Sequence, residues 1–457
     1  MNLLRNAFLC STAVGALLAT PAMAADPIRI GVGGYYLFYA VGGHIDGQYG
    51  YVDGSSTQYK GLQFQQEGEI HFTGQSKLDN GTTVGLAVEL EAWNNTVAVG
   101  GSARQIDEAF LFAFGNWGRI ELGARDMASF RMYYGTPSAL PGWGFINANT
   151  SFNWASGIMI NNPSFQGVQN AALGHQFQDA NRINYFTPRY RGLQIGIGYA
   201  PKMNLAPGPA LLAPGIGSGP GNNTAGVCGF NDATAASNCP TNDNSWQDVF
   251  DISANYLNKF GEVVVALYGG FMYGSFIPGY TSGVSVNPAT GANLTSWKQW
   301  AVGAQFGHGG WTLGGSIGYD NNGLGGNWYT GADNDSRKYS AGLMYETGAW
   351  QMSFGWAGTR NAAGNGLPQL TAIASGTTQA LTMPVGGTSS IAFSNQLAAG
   401  GLTFGSTSVD KFELGVNYSL GTGIKLAAGA IYWNAVGPTN AVVGQSWGIL
   451  MGMDLRF

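Results

Sequence analysis

Past residue 24 the chain lacks any run of eighteen uninterrupted apolar residues, which excludes ordinary transmembrane helices. Charge is scarce too. Asp, Glu, Lys and Arg make up 10% of the residues, against about 25% in a soluble globular domain, so the chain is poorly equipped to coat itself with charge. It is not basic: 20 Lys and Arg stand against 25 Asp and Glu, for a net charge of −5. That balance argues against a nucleic-acid partner, because no basic patch could neutralise phosphates. Only three cysteines and four histidines occur, and none of them has the spacing of a structural zinc set.

Glycine and aromatic residues are abundant instead: 73 glycines and 13% Phe, Trp and Tyr, at a mean hydropathy of −0.01. Apolar and polar residues must therefore be finely interleaved. Interleaving at period two is what a barrel wall requires when one face meets lipid and the other meets water. The N-terminus reads as an export signal over residues 1–24. Arg5 supplies the charged start, Ala7 to Thr20 the apolar stretch, and Ala22-Met23-Ala24 a small-x-small cleavage site. Its removal takes Cys10 and Arg5, leaving residues 25–457 one unit more negative than the full chain.

From Ile28 onward, short alternating runs are separated by turn chemistry. In Leu62 to Thr73, Leu62, Phe64, Ile70 and Phe72 share one face, while Gln63, Gln65, Glu67, Glu69 and His71 share the other. Asp79-Asn80-Gly81 then supplies a tight hairpin turn. Val84, Leu86, Val88 and Leu90 point away from Glu89 and Glu91 in the next run. Gln105 to Phe114 alternates badly, with Glu108 in phase with Ile106, Phe110 and Phe112, and reads as a strand from context. Gly118 to Asp126 sets Arg119, Glu121 and Arg125 against Ile120 and Leu122. In the last run Trp447, Ile449, Met451, Met453, Leu455 and Phe457 oppose Gly448, Gly452, Asp454 and Arg456.

The pattern predicts about sixteen strands: five before the stretch Met127 to Gln178, two after it, two after a loop from about Pro201 to Ser245, four up to Thr359, and three from Val409 to the end. Short turns alternating with long loops is the outer-membrane arrangement, and an even count puts both ends on the periplasmic side. The fold class is thus all-β, a transmembrane antiparallel β-barrel. Cys228 and Cys239 sit together in a polar loop, where an oxidising compartment favours their pairing as a disulfide. A metal site is the alternative there.

The stretch Met127 to Gln178 is the feature that needs explaining, because so long a connection inside a compact domain is usually functional. It is rich in Gly, Asn, Ser and aromatic residues, and Arg131 is its only formally charged side chain. It is expected to fold back into the lumen and set the width of the pore. In order and spacing, the signal, the hairpin Asn181 to Pro188 running into Gly192-Leu193-Gln194, the long loop after the fifth strand and the terminal Phe457 resemble the Gram-negative general-diffusion porins, most nearly the alphaproteobacterial branch.

The resemblance implies a sixteen-stranded homotrimer integral to the outer membrane, in contact with lipid and lipopolysaccharide. It implies passive diffusion of ions and small hydrophilic solutes through an eyelet narrowed by the third extracellular loop, and a Phe457 that is presented to the barrel-assembly machinery. In the family that loop offers carboxylates opposite arginines. Here Asp126 and Asp179 stand at its roots with no acid between them, which departs from the family pattern.

Strand phase and the loop together nominate Glu67, Glu69, Glu89, Glu91, Arg119, Glu121, Arg125, Asp126, Arg131, Asp179 and Arg182 as pore-lining residues, the alternative being a solvated wall without effect on selectivity. Arg131 either tunes the pore or anchors the loop to Glu121 or Asp126. The loop aromatics Tyr133, Tyr134, Trp143, Phe145, Phe152 and Trp154 either form a sugar-stacking track or pack the loop on the wall. A sugar-selective channel and a plugged structural barrel are the rival functions. An enzyme is not expected: Gly314-Gly315-Ser316-Ile317-Gly318 matches GxSxG but lies inside a predicted strand, with no elbow to expose the serine. No cofactor or metal is expected, and His71 reads simply as a lumenal residue. Trp350, Trp356, Tyr418 and Trp447 fit membrane-interface girdles.

Overall fold

The computed structural model describes residues 25–48, 56–92, 106–140, 180–202, 246–276, 286–287, 292–321, 324–327, 335–361, 369–370, 381–384, 390–393, 402–403, 407–436 and 442–457. For some strand residues, Glu67 among them, only the backbone is described. Among these residues sixteen antiparallel strands close into a barrel. They are β1 (Arg29–Gln48), β2 (Ser56–Lys77), β3 (Thr83–Glu91), β4 (Ile106–Gly115) and β5 (Gly118–Ala124). Next come β6 (Asn181–Phe186), β7 (Leu193–Lys202), β8 (Trp246–Phe260) and β9 (Val263–Phe276), then β10 (Trp297–His308), β11 (Trp311–Asp320), β12 (Ser336–Thr347) and β13 (Trp350–Asn361). The circuit ends with β14 (Thr407–Gly421), β15 (Ile424–Val436) and β16 (Val442–Arg456). The division into five, two, two, four and three strands is the one the sequence predicts.

Closure is enforced by the solvent. Hydrocarbon offers no partner to a backbone N–H or C=O, so an open sheet edge cannot stand in a membrane. The last strand therefore pairs with the first, in register from Tyr35 opposite Arg456 to Gly47 opposite Gly444. Phe457 extends that ladder, exchanging backbone hydrogen bonds with Gly34 at 3.0 and 3.1 Å. Both ends of the wall lie at the short-turn rim. There the connection Gly309-Gly310 takes φ of 57° and 84°, the left-handed pair that matches the strand twist and that glycine adopts without steric cost.

The two faces separate as period two requires. Leu313, Ile317, Phe354, Leu414, Ile449 and Met451 are exposed on the outside, whereas Ser316, Ser340, Ser353, Glu413, Asn417 and Asp454 are buried on the inside. Outward aromatic pairs mark the short-turn rim: Trp311 lies 4.4 Å from Tyr345 and Trp350 4.7 Å from Tyr418, centroid to centroid. Trp356 and Trp447 stand toward the opposite rim.

Two features differ from the sequence reading. β1 and β2 span 20 and 22 residues, longer than the short runs that the alternation predicts, because the hairpin stays paired from Arg29 opposite Gln75 to Gln48 opposite Ser56, well beyond the length needed to cross the hydrocarbon. The poor alternation of β4 also has a cause. Val88 pairs with Ala109 but Leu90 with Ile106, so β4 carries one extra residue, a bulge. Beyond it Ile106 faces out, while Glu108, Phe110 and Phe112 are buried inside.

Candidate functional site

After β5 the chain turns into the lumen. A four-residue helix, α1 (Ala128–Arg131), is followed by an extended segment to Leu140. From β8 onward, the inner face of the wall offers hydrogen-bonding partners to Ser129, Met132, Tyr133, Gly135, Ser138 and Ala139. The Ser129 N–H donates to Asp251 Oδ2 at 2.7 Å, and the Tyr268 hydroxyl donates to the Ser129 carbonyl at 2.9 Å. Asn255 donates to the Met132 carbonyl at 3.1 Å, and Gln305 to that of Gly135 at 2.7 Å. Farther round, Ser138 bonds Glu413, the Ala139 N–H reaches Ser353 Oγ at 2.8 Å, and Asn417 takes the Ala139 carbonyl. An extended backbone has no internal ladder, so in a water-poor crevice these side chains supply the partners that its polar groups need.

Glycines let the segment lie so close. A β-carbon on Gly303 would meet the Tyr134 carbonyl, one on Gly314 the Gly135 carbonyl and Pro137, one on Gly342 Thr136, and one on Gly415 or Gly429 the side chain of Leu140. All five face inward on β10, β11, β12, β14 and β15. They form a shallow track in which the segment is seated, and Leu140 and Ala139 are buried in it. Upstream, Ala128 and Met132 pack with Phe186, Tyr268 and Ala301, and Tyr133 and Tyr134 lie against them.

Where the loop leaves the wall, acids and arginines interleave. Glu121, buried on β5, accepts from Arg119 Nε at 2.6 Å and from Arg131. Arg125 bonds Glu108 and, at 3.1 Å, Glu89. Glu108 also receives the Asp126 N–H at 3.0 Å, and Asn184 donates to the Asp126 carbonyl at 2.8 Å. Arg182 and Asp251 face each other at 3.9 Å, both buried. Beneath the guanidiniums lie aromatic faces: Arg119 over Phe112 at 4.7 Å, Arg125 over Phe110 at 4.5 Å and Arg131 over Phe186 at 5.0 Å. A planar guanidinium stacks on a ring and still offers its edge donors to carboxylates, which a lysine cannot do.

The nominated residues thus fall into groups. Glu89, Arg119, Glu121, Arg125, Arg131 and the backbone of Asp126 meet in one cluster. Arg131 bonds Glu121. Glu69 and Glu91 are opposite one another on β2 and β3, and Arg182 faces Asp251. Asp179, Cys228, Cys239, Trp143, Phe145, Phe152 and Trp154 lie outside the described residues, as do the signal segment and the Glu67 side chain. Of the loop aromatics that are described, Tyr133 packs edge-on against Tyr268 at 5.2 Å and donates to Ser316 at 2.5 Å. Ser316 is a buried wall residue bonded to Ser340 at 2.6 Å.

Sequence phase missed Glu108, Asp251 and the inward Phe110, Phe112 and Phe186. For β4 the signal was present, as a glutamate sharing parity with three apolar residues. For the glycine track it was not, since glycine is everywhere in this chain.

A profile of the Gram-negative porins matches residues 11–432. The chain belongs to that family. The porin is accordingly an integral outer-membrane protein whose barrel encloses a channel. No curated protein matches it in sequence. Among solved structures it is similar to an anion-selective porin from Comamonas acidovorans (14% identity, TM-score 0.50, covering 94% of this chain and 100% of that one). It is similar also to the outer-membrane channel DcaP of Acinetobacter baumannii (9% identity, TM-score 0.53, 94% and 97%). A loop-deleted form of OmpT, an outer-membrane protein of Vibrio cholerae, matches at 11% identity and TM-score 0.50, covering 94% and 100%. At such identities the likeness extends to the fold alone.

Proposed function

We propose that this porin is a general-diffusion pore for ions and small hydrophilic solutes, narrowed where residues 127–140 cross the lumen, with a mild preference for cations. The supporting observation is the seating of that segment. Its backbone is hydrogen-bonded to inward side chains of β8 to β14, and one end is fixed by Arg131 on Glu121. A segment so held reduces the aperture, and its surface, neutral apart from Arg131, selects mainly by size. Charge selection then falls to the wall, where Glu69 and Glu91 add negative charge beside a cluster in which Glu89, Glu108 and Glu121 offset Arg119, Arg125 and Arg131.

Tyr133 is committed to Tyr268 and Ser316, which leaves it poorly placed to stack a sugar. Single-channel recording in a planar bilayer tests the reading. Ohmic conductance indifferent to added sugars supports it. Sugar-dependent block favours the selective channel, and absence of current the plugged barrel.

The porin is also proposed to assemble as a homotrimer, its apolar outer face meeting lipid and neighbouring protomers, with lipopolysaccharide around the rim and Phe457 as the residue read by the barrel-assembly machinery. Cross-linking in native membranes gives a three-chain band if the trimer forms.

A further inference from the structure

On the inner face of β2 and β3, Glu69, His71 and Glu89 converge. Glu69 and His71 are two residues apart on one strand, hence on one face, and His71 stands directly opposite Glu89. One ligand atom from each lies within 4.8 Å of the other two, and His71 Nε2 is 2.8 Å from Glu69 Oε2. The carboxylates are already oriented from behind. The Tyr35 hydroxyl donates to Glu69 Oε1 at 2.9 Å, and Arg125 Nη1 to Glu89 Oε1 at 3.1 Å.

From this arrangement we infer that Glu69, His71 and Glu89 form a lumenal binding site for a transition-metal dication of the zinc type, and that the bound ion changes the pore's charge selection. An imidazole with two carboxylates is a donor set for zinc or copper, whereas magnesium and calcium take oxygen alone. Three protein ligands leave a position for water, as zinc permits. Ligands about 2.0–2.2 Å from a tetrahedral zinc stand roughly 3.3–3.6 Å apart, so side-chain rotation closes the set without backbone movement. The Tyr35 hydrogen bond is the outer support that a ligating carboxylate usually receives.

Arg125 competes for Glu89, but it also holds Glu108, and Glu121 lies 4.0 Å from it. It therefore keeps its acid partners when the dication takes Glu89. A +2 ion on Glu69 and Glu89 cancels their formal charge beside the current path, which reduces cation entry.

The test is titration of the purified full-length porin with zinc chloride by calorimetry, paired with reversal potentials in a potassium chloride gradient before and after zinc. The inference expects saturable binding of one zinc per chain, with a shift of the reversal potential toward anions that an equal concentration of magnesium does not produce. His71→Gln should abolish both effects, and Tyr35→Phe should weaken binding by about tenfold, the usual range for a lost outer-shell bond. Zinc binding unchanged in His71→Gln, or zinc and magnesium shifting the potential alike, overturns it. Circular dichroism of each variant shows whether the barrel has formed, and Glu69→Gln supplies a second ligand deletion should His71→Gln fail to fold. The outcome is independent of the general-diffusion reading, because calorimetry requires no current.

Discussion

Glu121 is where a single substitution should reveal how the pore sorts ions. Its carboxylate is buried on the inner face of β5 and accepts from both Arg119 and Arg131, whose side chains keep 34% and 24% of their exposure. Glu121→Gln deletes one negative charge and leaves both guanidiniums in place, so the wall gains one positive unit. A unit charge roughly 7 Å from a passing ion is worth about 0.6 kcal/mol in water, and about half of that after screening at about 0.1 M salt. The change is unfavourable for cations and favourable for anions by the same amount, so the cation-to-anion permeability ratio should fall about threefold, and up to about sevenfold in dilute salt. Both guanidiniums keep access to water, which limits the stability cost of losing the buried carboxylate.

The assay is the reversal potential of single channels in a potassium chloride gradient, with Arg119→Gln as the control of opposite sign. If both variants leave the potential at the wild-type value, or move it in the same direction, the cluster does not face the current and the reasoning fails. A rise in unitary conductance in Glu121→Gln that is also present in Arg131→Gln would show that the loop has lost its anchor.

Converting Glu67, Glu69, Glu89 and Glu91 together to Gln should abolish the mild cation preference, and an anion-preferring wild-type pore would contradict its basis. Gly303→Ala places a methyl where the Tyr134 carbonyl now lies; the segment should be pushed toward the pore axis, lowering unitary conductance, at a stability cost of about 1–3 kcal/mol by overpacking. Asp251→Ala removes the acceptor of the Ser129 N–H and the carboxylate facing buried Arg182, and should lower the denaturation midpoint by an amount equivalent to about 3 kcal/mol.

The wall was legible in the sequence because lipid outside and water inside impose a residue-by-residue alternation that short turns then punctuate. Strand β16 shows this plainly, with Ile449 and Met451 out and Asp454 in. Strand β4 shows the limit, since a phenylalanine serves equally against lipid and beneath a guanidinium, and a bulge reverses parity in a place that no composition marks. The Arg131–Glu121 pair could be foreseen from phase, the two residues being only ten apart. The contacts of Ser129 with Asp251 and of Asn417 with Ala139 join residues 122 and 278 apart. They arise from closure of the circle, which local periodicity does not encode.

The seated segment also constrains how the molecule can form. Residues 127–140 precede in the chain nearly all of the wall they touch, since β8 to β15 come later. If the segment folds inward before the wall is complete, the later hairpins would close around it. Each contact along the track spans more than a hundred residues, and long-range closures of this kind are slow to form. The segment would then serve as a mandrel for the second half of the barrel. Freeing the segment from the finished barrel would mean breaking its side-chain hydrogen bonds to β8, β9, β10, β13 and β14 together, while the backbone ladders of the wall stay intact.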